Sequence, residues 1–259
     1  MNTTYKILLF SHIGVGFLAL ILFWIPVIAK KGGALHTRTG HWYAKAMYAV
    51  GFTALGLSLM LMIDPINFKF GADKFTAEKA IRISAQLKEF GLFLLSISVL
   101  TIVGVHHGLQ SIQAKGNHRQ MRSFANIGSN IMLLIVGVYL GLNPKNGSPM
   151  SVLFYIFAGL CVFSAVSNLH FCLKQKVSRP EQIIAHLSAI IGAGVGAHTA
   201  FFLFGASRLL AGVFTGYFAL IPWTLPGIIG TLIVVKQSKK YKPKKKKWAR
   251  NSNGVVEQT

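Results

Sequence analysis

The sequence predicts an all-α fold: a polytopic transmembrane helical bundle of about seven spans, with its N-terminus outside and its C-terminus cytoplasmic. Three observations predict it. Of 259 residues, 53% are hydrophobic and 13% charged, with 6 acidic side chains in all, about half the charged share of a soluble domain. Apolar runs recur at the length of about 20 residues that a hydrocarbon core of about 30 Å requires of a helix. Lys and Arg collect in alternate connections between those runs, the bias that sets topology during insertion.

The spans are predicted at 7–29, 41–63, 89–109, 124–142, 150–172, 183–206 and 210–235, within one bundle domain over 1–236. No strand-period alternation competes with helix in these runs, so a barrel is excluded. The first run is too long for a signal-peptide core and no small-x-small site precedes Lys30 and Lys31, so it reads as an uncleaved first span. The loop after it, KKGGALHTRTGHWY, predicts a tight helical hairpin: Gly32 or Gly33 closes the first helix in the left-handed region and Thr39 caps the second.

The one long connection runs from Asp64 to Lys88 and lies outside. Thr76 is placed there to cap a helix that continues into the third span. The sixth span carries Gly192, Gly194 and Gly196, a small-residue face for close helix approach. Pro222 and Pro226 stand in the seventh and favour a kink. Residues 237–259 read as a disordered polybasic cytoplasmic tail that holds anionic lipid.

With the N-terminus outside, the inner segments hold Lys30, Lys31, Arg38, Lys115, Arg119, Arg122, Lys174, Lys176, Arg179 and the cations from Lys236 to Arg250. A net charge of +21 would suggest nucleic acid in a soluble chain. Here it follows topology, so the expected partners are the bilayer and its anionic lipids, with no nucleic acid. These features place the chain in a membrane, with its cationic segments on the cytoplasmic side. Cys161 and Cys172 share one apolar run and give neither a disulfide framework nor a metal spacing; they read as small buried hydrophobes.

For chemistry, the spans hold no carboxylate at mid-depth, which argues against a carboxylate-driven pump and removes the orienting acid of a Ser-His-Asp site. No H-E-x-x-H or other catalytic motif occurs. Histidines remain. His36, His41, His106, His107, His118, His170 and His186 fall in inner loops or near inner helix ends. His12 and His198 fall about 9 Å and about 5 Å from the midplane, on the outer side. Two neutral imidazoles at one depth are what a six-coordinate haem b requires, so His12 and His198 are candidate ligands of a haem iron. A second haem would use His186 with His106, His107 or His170, although the 120° or so of rotation between His186 and His198 turns them to different faces. Lys30, Lys31, His36, Arg38 and Arg122 form a candidate site for an anion or lipid headgroup.

His12 with Gly16, Lys31-Gly32, His36, Gly40, Tyr43 and Met47, the GLFLLSI start of the third span, His118-Arg119, Met121-Arg122 and the HLSAIIGAGVGAHTAFF stretch from His186 extend over most of the chain. In these it resembles a family of predicted bacterial multi-spanning membrane proteins catalogued only as a domain of unknown function. The resemblance implies the fold and a place in the bacterial cytoplasmic (inner) membrane, but no activity. It marks His12, His36, Arg122 and His186 as motif positions, and it leaves His198 where relatives often have a non-ligating residue.

The sequence therefore supports a haem-b-binding membrane protein that passes electrons. A small-molecule transporter or permease is the alternative, from the kinked seventh span and the glycine-rich sixth. A metal-dependent membrane hydrolase ranks third, because the inner side lacks the carboxylate such zinc sites use.

Overall fold

The structure is a computed structural model that describes residues 2–71, 74–115, 117–143, 151–206, 221–241, 248–250 and 256–258. Its helices are α1 (Thr3–Ile28), α2 (Ala34–Ile63), α3 (Pro65–Lys69), α4 (Ala77–Gln113), α5 (Phe124–Leu142), α6 (Ser151–Leu173), α7 (Arg179–Ala200) and α8 (Ile221–Tyr241). A 3₁₀ turn over His118–Arg122 precedes α5, and a π-helical turn over Phe201–Gly205 extends α7. The fold is an all-α bundle, and six of these helices are long and apolar enough to cross a membrane: α1, α2, α4, α5, α6 and α7 with its π turn. The chain is a multi-pass membrane protein.

Local chemistry sets the helix ends. The Asn2 side chain accepts the Thr4 amide at 2.8 Å, and Ser123 accepts that of Asn126 at 3.3 Å. Before α7, Ser178 and Glu181 form a complete capping box, with a proline in the first turn. Gly32 takes φ +77° in the α1–α2 turn, the left-handed conformation expected there. Helix α4 has 37 residues, about 55 Å at 1.5 Å per residue, so it stands well clear of a 30 Å core as predicted.

Some boundaries differ from the sequence expectation. Helix α2 begins at Ala34, so Thr39 lies inside it and its hydroxyl donates to Leu35 O at 2.6 Å instead of capping. Thr76 occupies the cap position of α4 but makes no side-chain cap bond. Helix α8 runs to Tyr241, and β1 (Trp248–Arg250) pairs antiparallel with β2 (Val256–Gln258); the rest of the tail expected to be disordered from 237 lies outside the described residues. The lead-in to the expected seventh span, 210–220, lies outside the described residues.

Close approaches give the packing order. Gly16 lies 4.0 Å from Val50 and Gly56 3.3 Å from Leu8, distances from the Cβ each glycine lacks, which sets α1 antiparallel to α2. The same measure brings Gly137 within 2.8 Å of Cys161 Cβ, and only glycine admits that α5–α6 contact. Helix α4 is central: α2, α5, α6 and α7 all pack on it, and α8 packs on α7. Phe23, Tyr43, Met47, Val105 and Ile191 join α1, α2, α4 and α7 in one buried cluster. Large apolar side chains such as Phe10, Phe17, Ile135 and Phe163 face outward, the surface a bilayer accepts and water does not.

One end of the bundle gathers the cationic segments. Arg179 donates to Ile112 O at 3.0 Å, Arg122 to Leu173 O at 3.1 Å, and Lys240 lies within electrostatic reach of Lys31. The α1–α2 turn, the α4–α5 and α6–α7 connections and the last turn of α8 therefore share that end. The start of α1 is tied to the opposite end, where Asn2 N–H donates to Phe68 O at 2.9 Å.

Candidate functional site

The candidate haem ligands are not brought together. His12 turns to α2, its Nδ1 lying 3.2 Å from Val50 O and 3.1 Å from Thr53 Oγ1. His198 donates from Nδ1 to Gly194 O at 2.8 Å and accepts the Trp24 indole N–H on Nε2 at 3.2 Å, which engages both ring nitrogens. It meets α1 at Trp24, twelve residues beyond His12, or about 18 Å of helix. These two residues do not fit opposite faces of one iron. His186 meets α4 at Gly108, donating from Nδ1 to its carbonyl at 2.8 Å, whereas His106 turns to Tyr48 of α2 at 3.3 Å. That second pair faces different sides of α4. Among the described residues no cluster of three or more His, Cys, Asp or Glu side chains is placed to hold a metal ion.

The predicted anion site is divided in the same way. Lys31 Nζ donates to Pro26 O at 2.8 Å and to Val27 O, and His36 Nδ1 donates to Pro26 O at 2.9 Å, so both cap the open carbonyls of α1. Partial burial, and then the like charge of Lys240, hold the Lys31 ammonium below the ordinary lysine range. Arg122 caps α6 through Cys172 O at 3.4 Å and through Leu173 O and Lys174 O, each at 3.1 Å. The side chains of Lys30 and Arg38 make no hydrogen bond among the described residues. Three of the five proposed anion binders thus serve helix ends.

The small-residue face of the sixth span is narrower than expected. A Cβ at Gly194 would lie 2.1 Å from Phe23 Cε2, while among the described residues Gly192 and Gly196 have no neighbour within 4 Å. Beside it, Trp24, His198, Leu225, Pro226 and Ile229 line an apolar cavity of about 250 Å³ between α1, α7 and α8.

A second cavity, about 420 Å³, opens between α6 and α7 with α4 as its floor. Helices α6 and α7 each pack on α4, yet form no packed interface with one another. Phe163, Phe171, Ile184, Ala185 and Ala189 supply apolar walls, and His107, Ser164, Ser167, Asn168 and Ser188 supply polar groups. At the cationic end the cleft is bridged by an ion pair, Lys174 Nζ to Glu181 Oε1 at 3.0 Å. Both charges are over a third exposed, so the pair holds the mouth only loosely. From Lys174 to Ser164 is ten residues, so the polar lining reaches about 15 Å in, half of the hydrocarbon.

Behind the cleft runs a fixed polar chain. Asn168 Nδ2 donates to Asn130 Oδ1 at 2.9 Å, Asn130 Nδ2 to Asn126 O at 2.8 Å, and Asn126 Nδ2 to Met121 O at 2.8 Å and Cys172 Sγ at 3.1 Å. Cys172 Sγ in turn lies 3.9 Å from His107 Nδ1. Both cysteines are fully buried and free, as the sequence predicted. Cys172 serves as a link in this chain, with no access to the cleft for chemistry of its own.

The front of the cleft differs. Serines packed elsewhere in the bundle return their hydroxyls to their own helix: Ser96 to Phe93 O, Ser98 to Leu94 O and Ser111 to His107 O, each at 2.7 Å. Ser164, Ser167 and Ser188 make no such bond, and His107 Nε2 has no hydrogen-bond partner among the described residues. The sequence held a signal for this site that span-finding passes over. Asn126 and Asn130 stand four apart in one apolar run, and Ser164, Ser167 and Asn168 stand at helical spacing in the next.

These features define the class: a multi-pass α-helical membrane protein with a half-depth polar cleft at its cationic end. No family model, curated protein or solved structure matches the chain.

Proposed function

We propose that the protein is a small-molecule transporter or permease of the bacterial cytoplasmic membrane that binds a polar ligand in the α6–α7 cleft from the cytoplasmic side. One observation carries this reading: three serine hydroxyls and an imidazole nitrogen face a cavity at membrane depth without a protein partner. A polar group in hydrocarbon without a hydrogen bond costs about 1–3 kcal/mol on protein scales, so the cleft is filled by water or by a polar ligand. Orientation, with the N-terminus outside, is supported by the gathering of cations at one end. The bacterial location rests on that bias and on the family resemblance.

Single cysteines at Ser167 and Ser188 test it, because methanethiosulfonates react with thiolates and these form only where water reaches. In inside-out vesicles Ser167→Cys and Ser188→Cys react, while lipid-facing Val166→Cys does not. Proteoliposomes are then assayed with amino acids, polyols, nucleosides and fluorescent phospholipids. The proposal fails if the cleft cysteines are as inert as Val166→Cys, or if no probe crosses faster than in empty vesicles.

A further inference from the structure

Resting on that reading, a second feature narrows the ligand. The cleft is open along its flank as well as at its mouth. Because α6 and α7 form no packed interface, the gap between them faces the bilayer. Ser167 and Ser188 stand exposed on its two lips, beside Phe163, which is 72% exposed. A soluble solute needs only the mouth. A flank lined by hydroxyls and open to acyl chains suits a molecule that is polar at one end and apolar at the other.

Charge selects the polar end. Lys174 and Glu181 line the mouth, and the short α6–α7 connection that carries Lys174 also carries Lys176 and leads into Arg179, three cations against the single carboxylate of Glu181. Glu181 is already engaged by Ser178 N–H and Oγ, each at 2.8 Å, and by Lys174. Arg179 is engaged by Ile112 O and Gln182 Oε1. Lys176 is exposed and makes no bond among the described residues, so it is free to meet a phosphate. Above the mouth, the hydroxyls and His107 Nε2 sit about 10 to 15 Å into the membrane, where they can bond headgroup hydroxyls and ester carbonyls.

We infer that the cleft takes the anionic headgroup of a phospholipid from the cytoplasmic leaflet, which enters sideways between α6 and α7 and leaves its acyl chains in the bilayer. Its phosphate lies at Lys176 and Lys174, and its glycerol region lies against Ser167, Ser188 and His107.

The test uses the full-length protein carrying Ser167→Cys, delipidated in a neutral detergent. Its rate of reaction with a small methanethiosulfonate is measured alone, with phosphatidylglycerol, with phosphatidylcholine of the same chains, and with glycerol 3-phosphate. Phosphatidylglycerol is expected to slow the reaction at least tenfold, phosphatidylcholine less than threefold, and soluble glycerol 3-phosphate not at all. Adding Lys174→Gln and Lys176→Gln is expected to remove most of the protection. Protection is read at the cleft itself, so lipid held by the basic tail does not contribute. Protection by glycerol 3-phosphate as strong as by the lipid would make the ligand a soluble phosphate and overturn the lateral route. A reactive cysteine that no probe protects, or one that forms an intermolecular disulfide because a second copy covers the cleft, would overturn the lipid assignment while leaving a wet cleft. A cysteine inert under every condition would remove the underlying reading as well.

Discussion

The Asn130–Asn168 bond is where the back wall of the cleft can be weighed. Asn130 is fully buried, while Asn168 lines the cavity and is half-buried. Asn168→Leu therefore strands Asn130 Oδ1 in a dry site, with an expected cost of about 1–3 kcal/mol. Asn130→Leu strands the Asn168 amide beside the cleft, where water can reach it, and is expected to cost about 1 kcal/mol, chiefly through the lost bond. Interhelical bonds of this kind couple by about 0.6 kcal/mol on average and up to about 1.7 in membrane bundles. The double variant should fall short of the sum of the singles by that amount, because neither polar partner is left behind. Thermal unfolding in detergent reads this directly, at about 2–4 °C per kcal/mol for a chain of this size. A coupling below about 0.3 kcal/mol, or an Asn130→Leu variant that costs more than Asn168→Leu, would refute both the rigid back wall and the wet front.

Two further expectations follow from the packing and the caps. Gly194→Ala puts a methyl where Phe23 stands at 2.1 Å, which moves a ring that also contacts Tyr43 and His198, and should cost about 1–3 kcal/mol. Gly192→Ala meets nothing within 4 Å and should leave the unfolding midpoint unchanged or raise it; equal shifts for the two would contradict the α1–α7 contact. Lys31 has its pKa lowered by burial and by Lys240, so the folded protein binds fewer protons there than the unfolded one just below the ordinary lysine value of about 10.4. Stability should rise as pH climbs through that window, and should rise less in Lys240→Gln; a wild-type midpoint that is flat there would show Lys31 to be fully solvated.

The architecture was legible because its determinant is one-dimensional: a run of apolar residues long enough to span hydrocarbon reads as a helix wherever it stands. Cation placement likewise anticipated which connections share one end. Boundaries were less legible. The sequence offered Thr39 as a cap, but the chain from Ala34 to Ile63 holds no proline, and once Gly32 has turned the backbone the helix starts at the first residue it can. The surroundings of the candidate site residues were less legible for a related reason. Lys31, His36 and Arg122 looked like ligands because they are charged or titratable, yet the nearest acceptors in a bilayer are the open carbonyls at helix ends, and those take them. His12 and His198 agreed in depth counted along the sequence. Helix crossing decides contact, and it brought His198 to Trp24 instead.

The same rule that consumes those residues isolates the cleft. In a solvent without hydrogen bonds, polar side chains are drawn to a carbonyl of their own helix or of a neighbour, as Ser96, Ser98, Ser111 and the histidines at Pro26, Gly108 and Gly194 are, while single buried atoms such as Tyr43 Oη, His106 Nε2 and Ser238 Oγ go without. Several polar atoms that lack such a bond and gather on one cavity are therefore the departure that asks for a cause. Ser164, Ser167, Ser188 and His107 Nε2 form that group, and they face one cavity. Packing gives no reason for four such atoms on three helices to converge, since apolar residues of similar size would fill the walls without an unmet bond. A polar occupant gives one, and the open flank and cationic mouth of the cleft indicate which kind.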